Sequence, residues 1–433
     1  MSHERLDAAL DETSIAPFEL KEIDEGSPHR PVPRGSTFRH AMVLGTLIAL
    51  GALGIDMYLP AFPAIAESFG VDEGKVQFSL VSYFVALALG QMFYGPASDH
   101  IGRRLPLLFG FTLFILASAG CALAPSIDVL IAMRFLQGIG ACAGMVIPRA
   151  IVRDLRSGED AARLFALMLL VLGVSPILAP LLGSLLLDWG LPWQATFWFL
   201  TAFGVSCLVL IVFLLEETNP PERRSDGGVG LAFRNYGSLL VDRRFVVTAL
   251  VGGFSQAVVF AYLAGSPFVY LTLHHVSNKI YSLLFALNAI GLIGSAQTNV
   301  FMIRRFGAIR LILLATTAQS LAALTLLAST ILHFDAVTTI AVCLFFCVSC
   351  QGLIGPITSM LSLEPHPKKA GAASALMGSL QYACGAVSSM MVSYFFNETS
   401  IPFAAVLAAC ALSGLGLSAT LYARTAAAPI AGK

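Results

Sequence analysis

Two charged residues fall inside long apolar segments of this 433-residue chain and could do chemistry there: Asp56 in the first segment and Arg134 in the fourth. A charge at the centre of a membrane helix costs about 2.5–3.5 kcal/mol on the insertion scale, and such residues mark function by default. Each lies about five residues from the expected outer end of its segment, so at 1.5 Å per residue both sit roughly 8 Å deep, at one level. Two readings fit. The pair can be structural, as a static ion pair or with Asp56 capping a helix break ahead of Pro60. Alternatively, the carboxyl answers to two opposed influences, desolvation and the guanidinium, and takes up or releases a proton when either changes. That is the minimum apparatus for proton coupling. Arg134 opens the run Arg134-Phe135-Leu136-Gln137-Gly138-Ile139-Gly140, where Gln137 lies one turn on and can hydrogen-bond on the same face. Gly138, Gly140 and Gly144 permit close helix approach.

The elements that must position these groups follow from composition. The chain is 57% hydrophobic and 12% charged, about half the charge of a soluble domain, which excludes soluble enzymes, nucleic-acid binders and disulfide scaffolds. Twelve runs are long enough, at about 20 residues, to cross a hydrocarbon core about 30 Å thick. They cover 40–61, 77–97, 105–124, 129–150, 164–187, 195–215, 245–272, 280–303, 309–330, 337–361, 370–396 and 401–423. Strands of a barrel would be shorter and alternate in polarity. Sorting the 26 Lys and Arg by loop leaves only Lys75 and Lys279 outside and Arg134 within a span, while the other 23, Arg149 among them, fall on the inner side. Positive charge collects in cytoplasmic loops, so both termini are expected in the cytoplasm.

The domain division follows: a disordered cytoplasmic tail over 1–38, a six-helix bundle over 39–215, a cytoplasmic linker over 216–244, a second bundle over 245–423 and a tail over 424–433. All eight cysteines lie in spans. Cys343, Cys347 and Cys350 share a face that could hold a soft metal, but with no His or acid nearby they read as packing residues. No metal site or cofactor is expected.

Three further motifs carry information. The loop between the second and third spans reads Gly95-Pro96-Ala97-Ser98-Asp99-His100-Ile101-Gly102-Arg103-Arg104. The fifth span holds Gly173, Pro176, Pro180 and Gly183, a sequence that should bend it and let neighbours slide. Tyr58, Tyr83, Gln137, Gln256, Tyr262, Asn288, Gln351, Gln381 and Tyr382 are polar or amphipathic residues within spans. They can line a substrate cavity or hydrogen-bond between helices. No ring of charge in the spans suggests an obligate anion as cargo; a single acid suits neutral or cationic molecules.

The loop matches the G-x-x-x-D-x-x-G-R-R signature of the major facilitator superfamily. Arg134-x-x-Gln137-Gly138 resembles the superfamily's helix-4 motif, and Ala179-Pro180-Leu181-Leu182-Gly183-Ser184 resembles its helix-5 antiporter motif, with Ala179 and Ser184 replacing glycines. Asp56-Met57-Tyr58-Leu59-Pro60-Ala61-Phe62-Pro63, Gly265-Ser266-Pro267-Phe268-Val269-Tyr270 and Ala370-Gly371-Ala372-Ala373-Ser374-Ala375-Leu376 are similar to the Bcr/CflA branch of twelve-span drug:proton antiporters. The resemblance covers about 40–420. It implies an all-α membrane protein with two six-helix bundles around a central cavity, alternating access, and residence in a bacterial inner membrane. It also implies export of small drugs, such as bicyclomycin, phenicols or sulfonamides, against inward proton flow. Asp56 is then the protonation site and Arg134 its partner. In the gate, Asp99 would face the start of helix 11 near Ala370, and Arg103 would pair with Asp154. The partners expected are a small drug or metabolite, protons and the bilayer, with no nucleic acid, and the chain is expected to be a monomer. Export of an amino acid, nucleoside or siderophore fits the same fold. A membrane-embedded enzyme would need a convergent catalytic set that one Asp and one Arg do not supply.

Overall fold

A computed structural model of the chain describes residues 34–224 and 228–427. Most of the expected N-terminal tail and the last six residues lie outside this range. The described residues form α1 (Arg34–Asp56), α2 (Phe62–Phe69), α3 (Glu73–Ile101), α4 (Arg104–Ala122), α5 (Ile127–Leu155), α6 (Gly158–Asp188) and α7 (Gln194–Leu214) in the first half. After the linker helix α8 (Gly228–Val241) come α9 (Arg243–Pro267), α10 (Asn278–Phe306), α11 (Ala308–Ile331), α12 (Val337–Leu363), α13 (Ala370–Tyr394) and α14 (Ile401–Ala427). No strand occurs among the described residues, and twelve spans are long and apolar enough to cross a membrane. This is the all-α, two-bundle architecture that the apolar runs predict.

Outward faces are apolar, the reverse of a soluble protein. Leu105, Phe109 and Leu116 on α4, and Leu314 and Leu321 on α11, are all more than half exposed, as a face toward lipid requires. Polar groups turn inward instead: Gln77, Ser79, Arg134, Gln137 and Ser255 have no exposed surface. The two halves meet along α3 with α13 and along α6 with α10. Phe84 of α3 stacks on Phe260 of α9, with centroids 4.2 Å apart and planes 11° from parallel.

Two elements differ from the sequence expectation. The first span continues to Phe69 rather than ending near 61. α1 stops at Asp56, a 3-10 turn occupies Leu59–Ala61, and the chain resumes as α2 with Pro63 in its first turn. Proline there lacks only an N–H that a helix start leaves unused, so the paired prolines interrupt the helix without ending the crossing. The linker, in turn, contains an amphipathic helix. Ala232, Tyr236 and Leu239 of α8 repeat at helical spacing and are buried against Phe245, Ala373 and Leu376, and Tyr236 donates to the Met92 carbonyl at 3.0 Å.

Candidate functional site

Asp56 is the last residue of α1, 5% exposed. Its carboxylate takes part in no ion pair and accepts no hydrogen bond among the described residues. It lies within electrostatic reach of the hydroxyls of Tyr83, Tyr262, Tyr281 and Tyr382. The helix does break here, but no Asp56 side-chain cap closes the break. Nor does the structure bring Asp56 onto Arg134. That guanidinium, fully buried, donates through Nη1 to the Gly54 carbonyl at 2.9 Å and to Gln137 Oε1 at 2.5 Å. It lies between the rings of Tyr58 and Tyr83, 4.1 and 4.3 Å from their centroids. Carbonyl, amide and aromatic faces thus take the place of the expected carboxylate. The π-faces attract the cation without holding a counter-charge, which leaves Asp56 without a fixed partner.

Gly183 ties the fifth-span motif to the same break: a Cβ there would collide with the Met57 carbonyl oxygen. The next residue, Ser184, bonds Ser282 of α10 at 2.7 Å, and Ser282 donates to the Pro180 carbonyl at 3.0 Å. The serine that replaces a motif glycine is therefore a contact between the halves. Glu73, which the sequence places outside the second span, opens α3, is buried, and accepts a hydrogen bond from Thr272 of the other half. Ser184–Ser282 and Glu73–Thr272 hold the halves together at the end of the bundle opposite the linker.

At the linker end Arg103 organises a knot of charge. Its Nε donates to Asp154 Oδ2 at 2.8 Å and its Nη1 to Asp99 Oδ1 at 2.5 Å. Asp99 lines a cavity of about 680 Å³ together with Ala370 and Gly371, at the start of α13. Sequence reasoning missed the rest of the knot. Glu217 accepts from the backbone N–H of Arg103 at 2.8 Å, Arg104 at 3.0 Å and Asn219 at 2.9 Å, so it caps the start of α4. Burial pushes the Glu217 pKa up, but those three donors and the Arg224 charge outweigh it and hold the carboxyl below its ordinary value. Gly102 has φ +100°, and a Cβ there would meet Glu217 Oε2, so the motif glycine serves both the turn and the cap. Thr218 donates to Asp154 and Asn219 to the Asp99 carbonyl. Nothing in Glu217-Thr218-Asn219 marks it as a cap in the sequence, because the helix it serves begins more than a hundred residues earlier.

The nine cavity residues separate into two groups. Gln256, Gln351, Gln381 and Tyr382 line a cavity of about 330 Å³, together with Gln91 and Arg149; Gln351 donates to Gln256 at 2.7 Å. Tyr58, Tyr83, Gln137, Tyr262 and Asn288 are instead packed shut, each at most 3% exposed. Three of them serve helix contacts: Tyr58 and Tyr83 flank Arg134, and Gln137 donates to Ser118 at 2.7 Å. Arg149, counted among the inner-loop bases from sequence, lies in α5 on the cavity wall.

A twelve-span bundle whose halves meet around a polar cavity, with a charge-paired loop between its second and third spans, is the architecture of a membrane transporter. The chain belongs to the Major Facilitator Superfamily, matching it over residues 44–389. It is 39% identical over 381 residues to an MFS-type transporter, YdgK, of Bacillus subtilis (strain 168), covering 86% of this chain and 93% of that one. It is 28% identical over 375 residues to a bicyclomycin resistance protein homolog of Haemophilus influenzae, covering 87% and 94%. This likeness supports the resemblance of its motifs to the Bcr/CflA type. Among solved structures, the partially occluded, inward-open xylose transporter XylE of E. coli superimposes with a TM-score of 0.70 at 12% identity, over 92% of this chain and 99% of that one, a likeness of fold.

Proposed function

We propose that this transporter is a proton-coupled exporter: a drug:H+ antiporter of a bacterial inner membrane, with both termini in the cytoplasm. The observation that carries the reading is Asp56, a carboxyl at a helix break inside the bundle with no cation to fix its charge. The charge state of such a group answers to whether water reaches it, and alternating access changes that. With the basic loops inward, the 680 Å³ cavity faces the cytoplasm and the Glu73–Thr272 and Ser184–Ser282 contacts close the periplasmic end. Asp56 is protonated from outside when that end opens, and cargo leaves; the proton is released inward before cargo rebinds. Moving one charge across 100 mV supplies about 2.3 kcal/mol per proton, before any pH gradient. The Arg103–Asp99–Asp154 knot lies within the first half and holds Asp99 on the cavity wall with the start of α13, where it can close the inner end as the halves come together.

Small lipophilic drugs of the bicyclomycin, phenicol or sulfonamide kinds are the cargo this reading favours. The amide-rich wall of the inner cavity favours a second reading, export of a polar endogenous metabolite. Inverted vesicles with an acid interior test both. Addition of a drug panel should release internal protons with the wild-type protein and not with Asp56→Asn. Full-rate export by that variant would remove Asp56 from the mechanism.

A further inference from the structure

The exporter reading leaves one cation inside a span unused. Arg149 stands in α5, inside a span, yet its side chain is exposed to the cavity rather than packed. It lines both the 680 Å³ and the 330 Å³ cavities, which also share Gln91, Ser359, Ser374 and Met377, so the two are compartments of one path. We propose that Arg149 binds a carboxylate on the exported molecule, so that the cargo class is a monoanionic or zwitterionic small molecule. The proposal rests on the exporter reading and names its substrate class.

Arg149 differs from Arg103 and Arg134 in having no fixed partner. Arg103 has two carboxylates, and Arg134 has a carbonyl, an amide and two rings. Arg149 makes no hydrogen bond or ion pair among the described residues, and it is not a side chain in open water. The titratable groups that reach it are Tyr382 from α13 and Cys142 from its own helix. The elements around the inner compartment present amides and hydroxyls: Gln91 from α3, Gln256 from α9, Gln351 and Ser359 from α12. The acids at the mouth, Asp99 and Asp154, are already bonded to Arg103. A guanidinium on a cavity wall at span depth, with no fixed partner, is open to an anionic one, and its planar fork matches a carboxylate.

The walls narrow the class further. Arg149 is the one cation among the residues lining the 330 Å³ compartment, while Arg103 and Arg153 line the 680 Å³ compartment alone; a lone cation there suits a monoanion better than a doubly charged phosphate. Gln91, Gln256 and Gln381 on the same wall supply amides that can donate to and accept from a polar group of the same molecule. A path of several hundred Å³ has room for a drug-sized body. A monoanionic cargo also changes the energetics: one proton inward against one monoanion outward moves two charges, which doubles the contribution of the membrane potential relative to a neutral cargo.

The test compares carboxylate–carboxamide pairs of near-identical shape: benzoate with benzamide, indole-3-acetate with indole-3-acetamide, and nalidixate with its amide. Thermal unfolding of the purified protein in detergent reads binding to wild type, Arg149→Lys and Arg149→Gln. The expected result is that at least one acid stabilises the wild type at tenfold lower concentration than its amide, that Arg149→Lys keeps part of this preference and that Arg149→Gln loses it. Equal effects of acids and amides, no effect of any pair, or a full acid preference in folded Arg149→Gln would overturn the proposal. The acid–amide comparison in wild type needs no variant to fold. Proteoliposomes under a pH gradient separate this from the exporter reading. Proton flux triggered by bicyclomycin or chloramphenicol, without acid preference, removes the Arg149 site and leaves the exporter; acid preference without any proton flux does the opposite.

Discussion

Replacing Gly183 with Ala should damage this protein far more than the same change ten residues earlier on the same helix. At Gly183 the added Cβ would fall inside contact distance of the Met57 carbonyl oxygen, a backbone atom in the turn after Asp56 that has no side-chain rotation to escape by. Either α6 or the turn must move by roughly 1 Å or more, which puts the cost near the upper end of overpacking, about 3 kcal/mol. Better helix propensity returns up to about 1 kcal/mol, leaving a net loss of about 2 kcal/mol. At Gly173 the nearest atom to an added Cβ is Ile293 Cδ1 at 3.5 Å, an ordinary contact, so only the gain of up to about 1 kcal/mol applies. The two variants should therefore differ by about 3 kcal/mol, more than a hundredfold in an equilibrium constant. Seven of the eight free cysteines are buried and Cys384 is half-buried, so a thiol-reactive dye reports unfolding of the purified protein directly. Equal unfolding midpoints for Gly183→Ala and Gly173→Ala would refute the claim that this motif glycine is needed for the approach of α6 to the break in the first span.

Three further outcomes follow from the geometry. Glu217→Gln should cost about 1 kcal/mol at neutral pH by weakening the cap on α4. Because the Glu217 pKa is lowered on folding, that advantage of the wild type is fully present above the ordinary Glu value, about 4.3, and fades as pH falls through the folded value below it; unfolding curves at pH 7 and at acid pH should show the gap closing. Arg134→Lys keeps the charge but loses the planar guanidinium that lies against the Tyr58 and Tyr83 rings, and should cost about 2 kcal/mol by the same dye assay. Cysteines introduced at Glu73 and Thr272, which are hydrogen-bonded partners, should cross-link under oxidation and stop transport until reduced; free turnover of the cross-linked protein would contradict the closed outer end.

Much of the fold was legible because membrane physics writes it in length and hydropathy: a run of about 20 apolar residues has few alternatives to a spanning helix. The loop motif was equally plain, since Asp99 and Arg103 stand four residues apart in one chain segment and Asp154 follows at the end of α5. What stayed hidden depended on contacts between distant segments. Glu217 reaches back to α4, and the partners of Arg134 are a carbonyl of α1 and the ring of Tyr58, which no spacing rule connects to it. Depth misled in two places. Pro60 and Pro63 read as the end of the first span but only interrupt it, so Asp56 lies further from the span's end than the sequence suggests. Arg149, five residues before Asp154, sorts with the basic loop by position, while α5 continues past it and leaves it on the cavity wall.

The central claim is that Asp56 exchanges a proton for cargo. The most direct measurement is of protons released when a drug binds the purified protein in weakly buffered detergent solution, followed with a pH-indicator dye, with bicyclomycin and chloramphenicol as probes and thermal shift as the independent measure of binding. Release by the wild type on binding, and binding without release by Asp56→Asn, is the predicted result. Equal release from both, or drug binding to the wild type with no proton released, would contradict the account.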